Sequence, residues 1–161
     1  MQRRAILLIF LALLAGGGVY AWIFLNSGGG GTEKLGFING VTTNGNYGIV
    51  FDEVEWLTGE EGENAAIEAG LCTEETRVTC LSNDFIINNP SETTQNFEFA
   101  TGIVITMQTL NMEQNGVRDR EITREEFEEL LNDSRAHWRN LPYRITVKSG
   151  LVTSIAEVYV P

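Results

Sequence analysis

The 161 residues of this chain have room for one membrane segment and one folded domain of about 125 residues. Hydrophobic residues make up 43% and charged residues 20%, a composition typical of a globular domain and not of a disordered tail. Arg3 and Arg4 precede an apolar run, and the nine basic and 22 acidic residues that follow it give the rest of the chain a charge of about −13. Such a field repels phosphate backbones, which argues against nucleic acid as a partner.

Residues 5–25 form an uncharged apolar run that we predict to be a transmembrane helix. These 21 residues reach about 31 Å as a helix, close to the thickness of a hydrocarbon core. Arg3 and Arg4 lie in the short segment 1–4 before the run, and basic residues favour the cytoplasmic side of a membrane. The sequence therefore predicts a single-pass protein of the cell membrane, with a cytoplasmic N-terminus, a lipid-bilayer contact through residues 5–25 and an extracytoplasmic C-terminal domain.

A cleaved signal peptide is the alternative interpretation of the same run. Residues 19–21 (Val-Tyr-Ala) place small side chains at a suitable cleavage position, and the glycines at 16–18 weaken the helix. Residues 22–25 continue the apolar run past that position, which favours the uncleaved anchor. Both interpretations predict export of the rest of the chain.

The exported part begins with a glycine-rich stretch, residues 26–33, which predicts a flexible spacer before a β-rich domain over 34–161. Apolar positions at 35–41 predict a first strand, and an Asn-Gly pair at 44–45 predicts a turn. Residues 48–51 then predict the returning strand of a hairpin.

A helix and a cysteine pair are predicted next. Residues 58–61 read Thr-Gly-Glu-Glu, a capping-box pattern that predicts the start of a helix ending at Gly70. Cys72 and Cys80 are the only two cysteines of the chain. Outside the cytoplasm such a pair predicts a structural disulfide, which stabilises a fold by roughly 2.5 kcal/mol in the chain-entropy treatment.

The rest of the domain consists mainly of predicted strands. They extend over residues 85–87, 96–100, 103–110, 143–147 and 151–160, the last two forming a hairpin around Ser149 and Gly150. Residues 123–126 repeat the capping-box spacing, and Phe127, Leu130 and Leu131 mark the apolar face of a second helix.

Short strands joined by tight turns, with two short helices among them, indicate an α+β fold that is mostly β. After the transmembrane helix we expect either a small antiparallel sheet or a five- or six-stranded barrel like the oligonucleotide/oligosaccharide-binding (OB) fold.

A pattern spread over most of the exported part resembles a group of bacterial proteins. Residues 52–59 read D-x-x-x-W-L-x-G, an alanine-rich helix follows, residues 83–89 read N-D-F-x-I-x-N, and residues 157–161 read Glu-Val-Tyr-Val-Pro. The combination resembles exported or membrane-anchored bacterial envelope proteins with no established activity. The resemblance implies a bacterial envelope location and adds no site residues.

Three aromatic residues are candidates for an interaction surface: Trp56, Trp138 and Tyr159. An envelope protein or a polysaccharide would be the partner of such a surface. Asp52 and Glu55 flank Trp56, so a carboxylate pair beside a sugar-stacking ring is a second interpretation. A simpler structural account places Trp56 in the core and the two acids at its rim.

Two further segments suggest chemistry only weakly. Residues 111–116 (Asn-Met-Glu-Gln-Asn-Gly) are similar to the start of a calcium loop, but Ile122 stands where a bidentate glutamate is needed. His137, the only histidine, has no recognisable nucleophile motif near it in sequence and is expected to flank the second helix. We therefore predict no catalytic residue, no metal site and no cofactor.

The function that the sequence favours is a non-enzymatic, membrane-anchored extracytoplasmic module that binds or assembles with other components of the cell envelope. A small carboxylate-dependent enzyme acting on polysaccharide and a calcium-responsive domain are the alternatives.

Overall fold

The computed structural model of the chain describes residues 30–42, 46–91, 93–133 and 137–160. The predicted transmembrane helix 5–25 and the predicted turn at 44–45 lie outside these residues. Over the described ranges, no helix is long and apolar enough to cross a membrane.

The described residues form eight strands, four helices and one short 3-10 helix. In chain order these are β1 (Thr32–Thr42), β2 (Gly48–Glu53), β3 (Glu55–Thr58), α1 (Gly59–Glu68), α2 (Arg77–Cys80), β4 (Phe85–Asn88), β5 (Thr94–Met107), α3 (Met112–Asn115), β6 (Arg120–Ile122), α4 (Arg124–Asn132), the 3-10 helix Trp138–Asn140, β7 (Pro142–Lys148) and β8 (Leu151–Glu157). The prediction of an α+β fold that is mostly β is confirmed; α1 and α4 are the two predicted helices, and the one-turn helices α2 and α3 were not predicted. β1 begins at Thr32, so the last two residues of the stretch predicted as a spacer pair with β7.

Five strands close into a barrel in the order β1–β2–β5–β8–β7, and β7 pairs back with β1. The barrel, one of the two expected arrangements, is thus confirmed. Its pairings are not all antiparallel, because β5 and β8 run parallel while the other four pairs are antiparallel. The chain reaches β8 from β5 only after α4 and β7, and that crossover lets β8 join β5 in the same direction.

The barrel interior holds the hydrophobic core. Side chains at 49 and 51, at 105 and 107, and at 143 and 145 alternate with outward-facing ones, as the two-residue period of a strand requires. The core cluster consists of Ile38, Ile49, Phe51, Ile105, Met107, Phe127, Leu131, Tyr143, Ile145, Val152 and Ile155.

Helix α4 contributes two of these core residues, as its sequence predicts. Phe127 and Leu131 are fully buried, and the Phe127 ring meets the Tyr143 ring edge-on with 5.7 Å between centroids. The capping box at Thr123 is formed: the Glu126 N–H donates to Thr123 Oγ1 at 3.2 Å, and the Thr123 N–H donates to Glu126 Oε2 at 2.8 Å. The sequence therefore determines both where α4 begins and which face it buries.

Helix α1 begins at the predicted place, but the predicted capping box is not formed. Thr58 occupies the N-cap position but makes no side-chain capping bond. Gly62 faces the backbone of β3 so closely that a Cβ would lie 2.9 Å from the Leu57 oxygen, so α1 packs tightly on β3. Past its end, Gly70 adopts a left-handed φ of 71°, as predicted for a glycine that ends a helix.

The segment predicted as two strands, 96–100 and 103–110, is one strand with a bulge. β5 pairs with β8 at Phe99 and again at Val104, so four residues, 100–103, stand opposite Thr153 alone. Gly102 has a φ of +74° within this bulge. The Thr-Gly pair thus bends the strand without ending it, because a positive φ costs glycine little.

A buried acid joins the ends of β5 and β8. Glu157 is only 2% exposed, and its carboxylate accepts hydrogen bonds from the N–H groups of Gln108 (2.8 Å) and Thr109 (3.1 Å) and from Thr109 Oγ1 (2.6 Å). Three donors offset the cost of burying the charge, so Glu157 fixes the two strand ends together.

Residues 54–93, which we call the insert, leave the barrel between β2 and β5. They contain the two-stranded sheet β3–β4 with α1 and α2 packed beside it. The predicted disulfide between Cys72 and Cys80 is confirmed and links the segment after α1 to α2. The backbone bond from Val54 N–H to the Leu35 oxygen, at 2.9 Å, connects the start of the insert to β1.

Candidate functional site

The barrel carries an open cleft of about 620 Å³ on its outer surface, which we call the barrel cleft. It lies where the end of the β1–β2 connection, the β5 bulge, the first turn of α4 and the start of β8 meet. Its lining consists of Asn46, Tyr47, Glu98, Phe99, Ala100, Thr101, Gly102, Ile103, Arg124, Glu125 and Leu151.

An aromatic ring and a guanidinium form one side of the barrel cleft. The Arg124 guanidinium carbon lies 4.3 Å from the centroid of the Tyr47 ring, within the range of a cation–π contact. Tyr47 remains 48% exposed. A hydrogen bond from Arg124 to Glu125 (2.6 Å) raises the pKa of the guanidinium, and Glu128 lies 3.6 Å from Arg124 Nε. The side chain that holds the Tyr47 ring is therefore itself held by two carboxylates.

Another part of the lining is polar. The Asn46 amide donates to Glu98 Oε2 at 2.8 Å, and this bond spans the seam where β2 closes against β5. Next to Glu98, the bulge at 100–103 interrupts the β5–β8 ladder, so its backbone groups are released from strand pairing. The barrel cleft therefore combines amide, carboxylate and backbone hydrogen-bonding groups with an exposed ring.

Trp56, a residue predicted to contact a partner, lies in the insert and not in the core. It is half-buried, and its ring stacks on Phe85 with 4.1 Å between centroids and 18° between planes. The pair contributes to a second open groove of about 480 Å³, the insert groove, lined by Trp56, Thr58, Gly59, Glu63, Arg77, Leu81, Asn83, Asp84 and Phe85.

Trp138 and Tyr159 lie elsewhere, near the end of β5. Trp138 packs against the core, and its backbone oxygen accepts a hydrogen bond from the buried Tyr143 hydroxyl at 2.8 Å. Tyr159 is 39% exposed, and its N–H donates to Gln108 Oε1 at 3.0 Å. The structure thus brings Trp138 and Tyr159 toward the end of β5 and keeps Trp56 with the insert.

The two carboxylates of the enzyme hypothesis are bound by neighbouring amides. Asp52 Oδ2 accepts from Asn89 at 3.0 Å, and Glu55 Oε2 accepts from Asn88 at 3.2 Å. The second Asp52 oxygen is buried and has no hydrogen-bond partner among the residues that the structure describes. Asn88 is the last residue of β4, and Asn89 follows it. Each acid therefore binds an asparagine at the end of β4, and this structural role accounts for both acids without catalysis.

The remaining weak candidates occupy local structures. His137 is exposed, with its ring 4.5 Å from that of Trp138. Residues 112–115 of the calcium-like segment form α3, and Asn111 before it has a left-handed φ of 63°. Within the described part of the chain, no group of three or more His, Cys, Asp or Glu side chains is arranged to hold a metal ion. A calcium response of this segment stays a prediction.

The residues of the barrel cleft were not predicted as a site. From the sequence, Tyr47 was expected in a turn with Gly48, and Arg124 on a solvated helix face. In the structure Tyr47 directly precedes β2, which begins at Gly48, and Arg124 is the first residue of α4 and is partly buried. What joins them is the closure of β2 on β5, with Gly48 opposite Glu98, together with the packing of α4 against β1 and β5. The sequence contains no local signal for that long-range pairing.

No family model matches this chain, and neither does any curated protein or solved structure.

Proposed function

We propose that this chain is a binding module of the bacterial cell envelope, held at the membrane by residues 5–25, with an extracytoplasmic OB-like barrel. Two features of the described residues support the barrel class. The five strands follow the order β1–β2–β5–β8–β7 with one parallel pair, and α4 precedes the last two strands. The disulfide of the insert is compatible with an extracytoplasmic location.

The observation that carries the proposal is the position of the barrel cleft. OB-fold barrels bind oligonucleotides and oligosaccharides on the face of their second and third strands and at the connections between strands one and two and between strands four and five. In this barrel β2 and β5 are the second and third strands. The cleft contains Asn46 and Tyr47 from the first connection, Glu98 from β5 and Leu151 just after the second connection.

A neutral, hydroxyl-rich polysaccharide is the partner that suits this lining. The net charge of −11 disfavours nucleic acid and other polyanions. Sugar hydroxyls both donate and accept hydrogen bonds, which matches the Asn46 amide, the Glu98 carboxylate and the backbone of the bulge. The exposed Tyr47 ring offers a flat apolar surface to a sugar ring.

We favour binding of the glycan without hydrolysis of its glycosidic bonds. Glycoside hydrolysis requires one carboxyl held protonated near neutral pH, which needs a raised pKa. In the barrel cleft the pKa of Glu125 is lowered, first by a hydrogen bond from its own backbone and then by Arg124. Glu125 is therefore ionised at neutral pH and suited to accept hydrogen bonds.

The test is the affinity of the purified full chain for a defined neutral glycan, a hexamer of N-acetylglucosamine, measured by titration calorimetry. Tyr47→Ala is expected to weaken binding about tenfold by removing the ring that faces the sugar. Tyr159→Ala removes a comparably exposed tyrosine outside the barrel cleft and is the matched control.

Unchanged affinity in Tyr47→Ala, or equal losses in both variants, would contradict binding at the barrel cleft. A glucose hexamer tests the sugar class, and an anionic uronate hexamer is expected to bind more weakly because of the acidic field. Release of shorter sugars during the titration would instead favour the carboxylate enzyme.

A further inference from the structure

The insert has a charge very different from that of the barrel. Residues 54–93 contain nine acidic side chains and one basic side chain, Arg77. The residues on either side of the insert, 30–53 and 94–160, contain 13 acidic and eight basic side chains. About a quarter of the chain therefore holds more than half of its excess negative charge.

The single cation of the insert is already neutralised. Arg77 donates to both Glu74 oxygens at 2.9 to 3.0 Å and to Asn64 Oδ1 at 2.7 Å, and Glu63 lies 3.6 Å away. Hydrogen bonding to Glu74 raises the pKa of Arg77, so it stays charged and bound. The field around the insert groove is accordingly set by carboxylates.

The floor of the insert groove is aromatic and apolar. The stacked rings of Trp56 and Phe85 lie beside Leu81, and none of these three side chains is fully buried. Glu63, Asp84 and Arg77 also line this groove. Because Glu74 balances the charge of Arg77, the two other carboxylates leave the groove negative. An apolar floor with a carboxylate rim favours a ligand with a positive charge and an apolar stem, which describes lysine and arginine side chains.

We propose that the insert groove is a docking site for a basic peptide segment of a protein partner. A lysine or arginine of that segment lies over the Trp56–Phe85 pair, with its charged head directed to Glu63 and Asp84. The site is separate from the barrel cleft and does not depend on glycan binding there.

A disulfide and close packing hold the insert groove in a fixed shape. The disulfide between Cys72 and Cys80 links the segment after α1 to α2, and Gly62 lets α1 pack against β3. Asp84 has a left-handed φ of 56° in the turn before β4, which fixes its place at the groove. A groove that is formed before its ligand arrives loses less entropy on binding.

The experiment measures binding of fluorescein-labelled twelve-residue peptides to the purified full chain by fluorescence anisotropy. One peptide alternates lysine with leucine, the second replaces each lysine with glutamate, and the third replaces each lysine with serine. The lysine peptide is expected to bind, and the other two are expected to bind at least tenfold more weakly.

The paired variant Glu63→Gln with Asp84→Asn removes two negative charges and keeps the shape of both side chains. Asparagine tolerates the left-handed backbone at position 84, so the fold is retained. The matched control is Glu113→Gln with Glu121→Gln, two exposed acids outside the insert. The Glu63/Asp84 variant is expected to weaken binding of the lysine peptide about tenfold, and the Glu113/Glu121 variant less than twofold.

Two further variants separate the contributions to binding. Trp56→Leu keeps an apolar floor but removes the ring, so a loss of about threefold to fivefold is expected. Tyr47→Ala in the barrel cleft is expected to leave peptide affinity unchanged. Equal losses in the insert and control pairs, equal binding of the serine peptide, or no binding of the lysine peptide would each overturn the proposal.

Discussion

The barrel and the insert are held together by different physical means. All of the largest fully buried side chains lie in the barrel, where Phe51, Phe127 and Tyr143 pack in one core. In the insert the buried side chains are small, and the described hydrophobic ones are Val54, Ala66 and Cys72. The barrel depends on burial of apolar area, whereas the insert depends more on its disulfide and on the half-buried Trp56–Phe85 stack.

This difference bears on function as well as on stability. The barrel cleft lies on the outer surface of the barrel, and two of its lining residues, Phe99 and Ile103, also pack against the core. An insert with few core residues leaves its aromatic side chains half-buried and open to a partner. We therefore expect substitutions in the barrel core to destabilise the whole domain, and substitutions in the insert to destabilise the insert alone.

The largest effect is expected from Phe127→Ala. This side chain is fully buried against Tyr143, so its removal leaves a cavity in the barrel core. We expect the free energy of unfolding to fall by about 3–5 kcal/mol, measured by urea denaturation of the full chain. Unfolding of the barrel should also unfold the insert, because both ends of the insert continue into barrel strands. A loss below about 1 kcal/mol would contradict the placement of α4 in the core.

A smaller and more local effect is expected from the paired variant Cys72→Ser with Cys80→Ser. Loss of the disulfide is expected to cost roughly 2.5 kcal/mol, and the cost should fall on the insert. Hydrogen exchange should show faster exchange at residues 59–80 and unchanged exchange in β7 and β8. Equal loss of protection in the barrel would mean that the two regions unfold as one unit.

The two threonine caps give a matched pair with an effect of about 1 kcal/mol. Thr123→Ala removes a formed capping box and is expected to lower the free energy of unfolding by about 1 kcal/mol. Thr58→Ala removes a residue at the same helical position that makes no side-chain capping bond, so its effect should be markedly smaller. Urea denaturation of both variants measures the difference, and equal losses would contradict the two observed cap geometries.

The smallest effect is a pH dependence from the same capping box. Backbone and side-chain hydrogen bonds from Thr123 lower the pKa of Glu126 from its ordinary value of 4.5. A lowered pKa means that the stabilisation is present above the unfolded-state value and is lost as the pH falls through the folded-state value. The stability gap between the native chain and Glu126→Gln should therefore shrink below about pH 4.5. A stability gap that widens as the pH falls would contradict a lowered pKa of Glu126 in the folded chain.

The sequence predicted the locally encoded parts of the fold. The apolar run at 48–51 predicted β2, the hairpin pattern around Ser149 and Gly150 predicted β7 and β8, and the Thr-x-x-Glu pattern with Phe127 and Leu131 predicted α4. The disulfide followed from the export signal and the cysteine count. For the strands and for α4 the signal lies within a short stretch of chain, whereas the disulfide prediction combined the N-terminal apolar run with a cysteine pair about 50 residues later.

The parts that it did not predict depend on long-range pairing. The Thr-Gly pair at 101–102 has the composition of a turn, yet continued pairing of β5 with β8 beyond it makes a bulge. Tyr47, Glu98 and Arg124 are distant in sequence and meet because β2 closes on β5 and α4 packs against β1 and β5. Trp56 was expected in the core, but β3 pairs with β4 outside the barrel.

Hydrogen exchange of the full chain with and without the N-acetylglucosamine hexamer tests the proposed barrel-cleft function most directly. Bound glycan is expected to slow exchange at residues 46–47 and 98–103, where the cleft lining and the released backbone of the bulge lie. Exchange in β3 and β4 of the insert should stay the same. Unchanged exchange across the barrel cleft, or slower exchange confined to the insert, would contradict the proposed function.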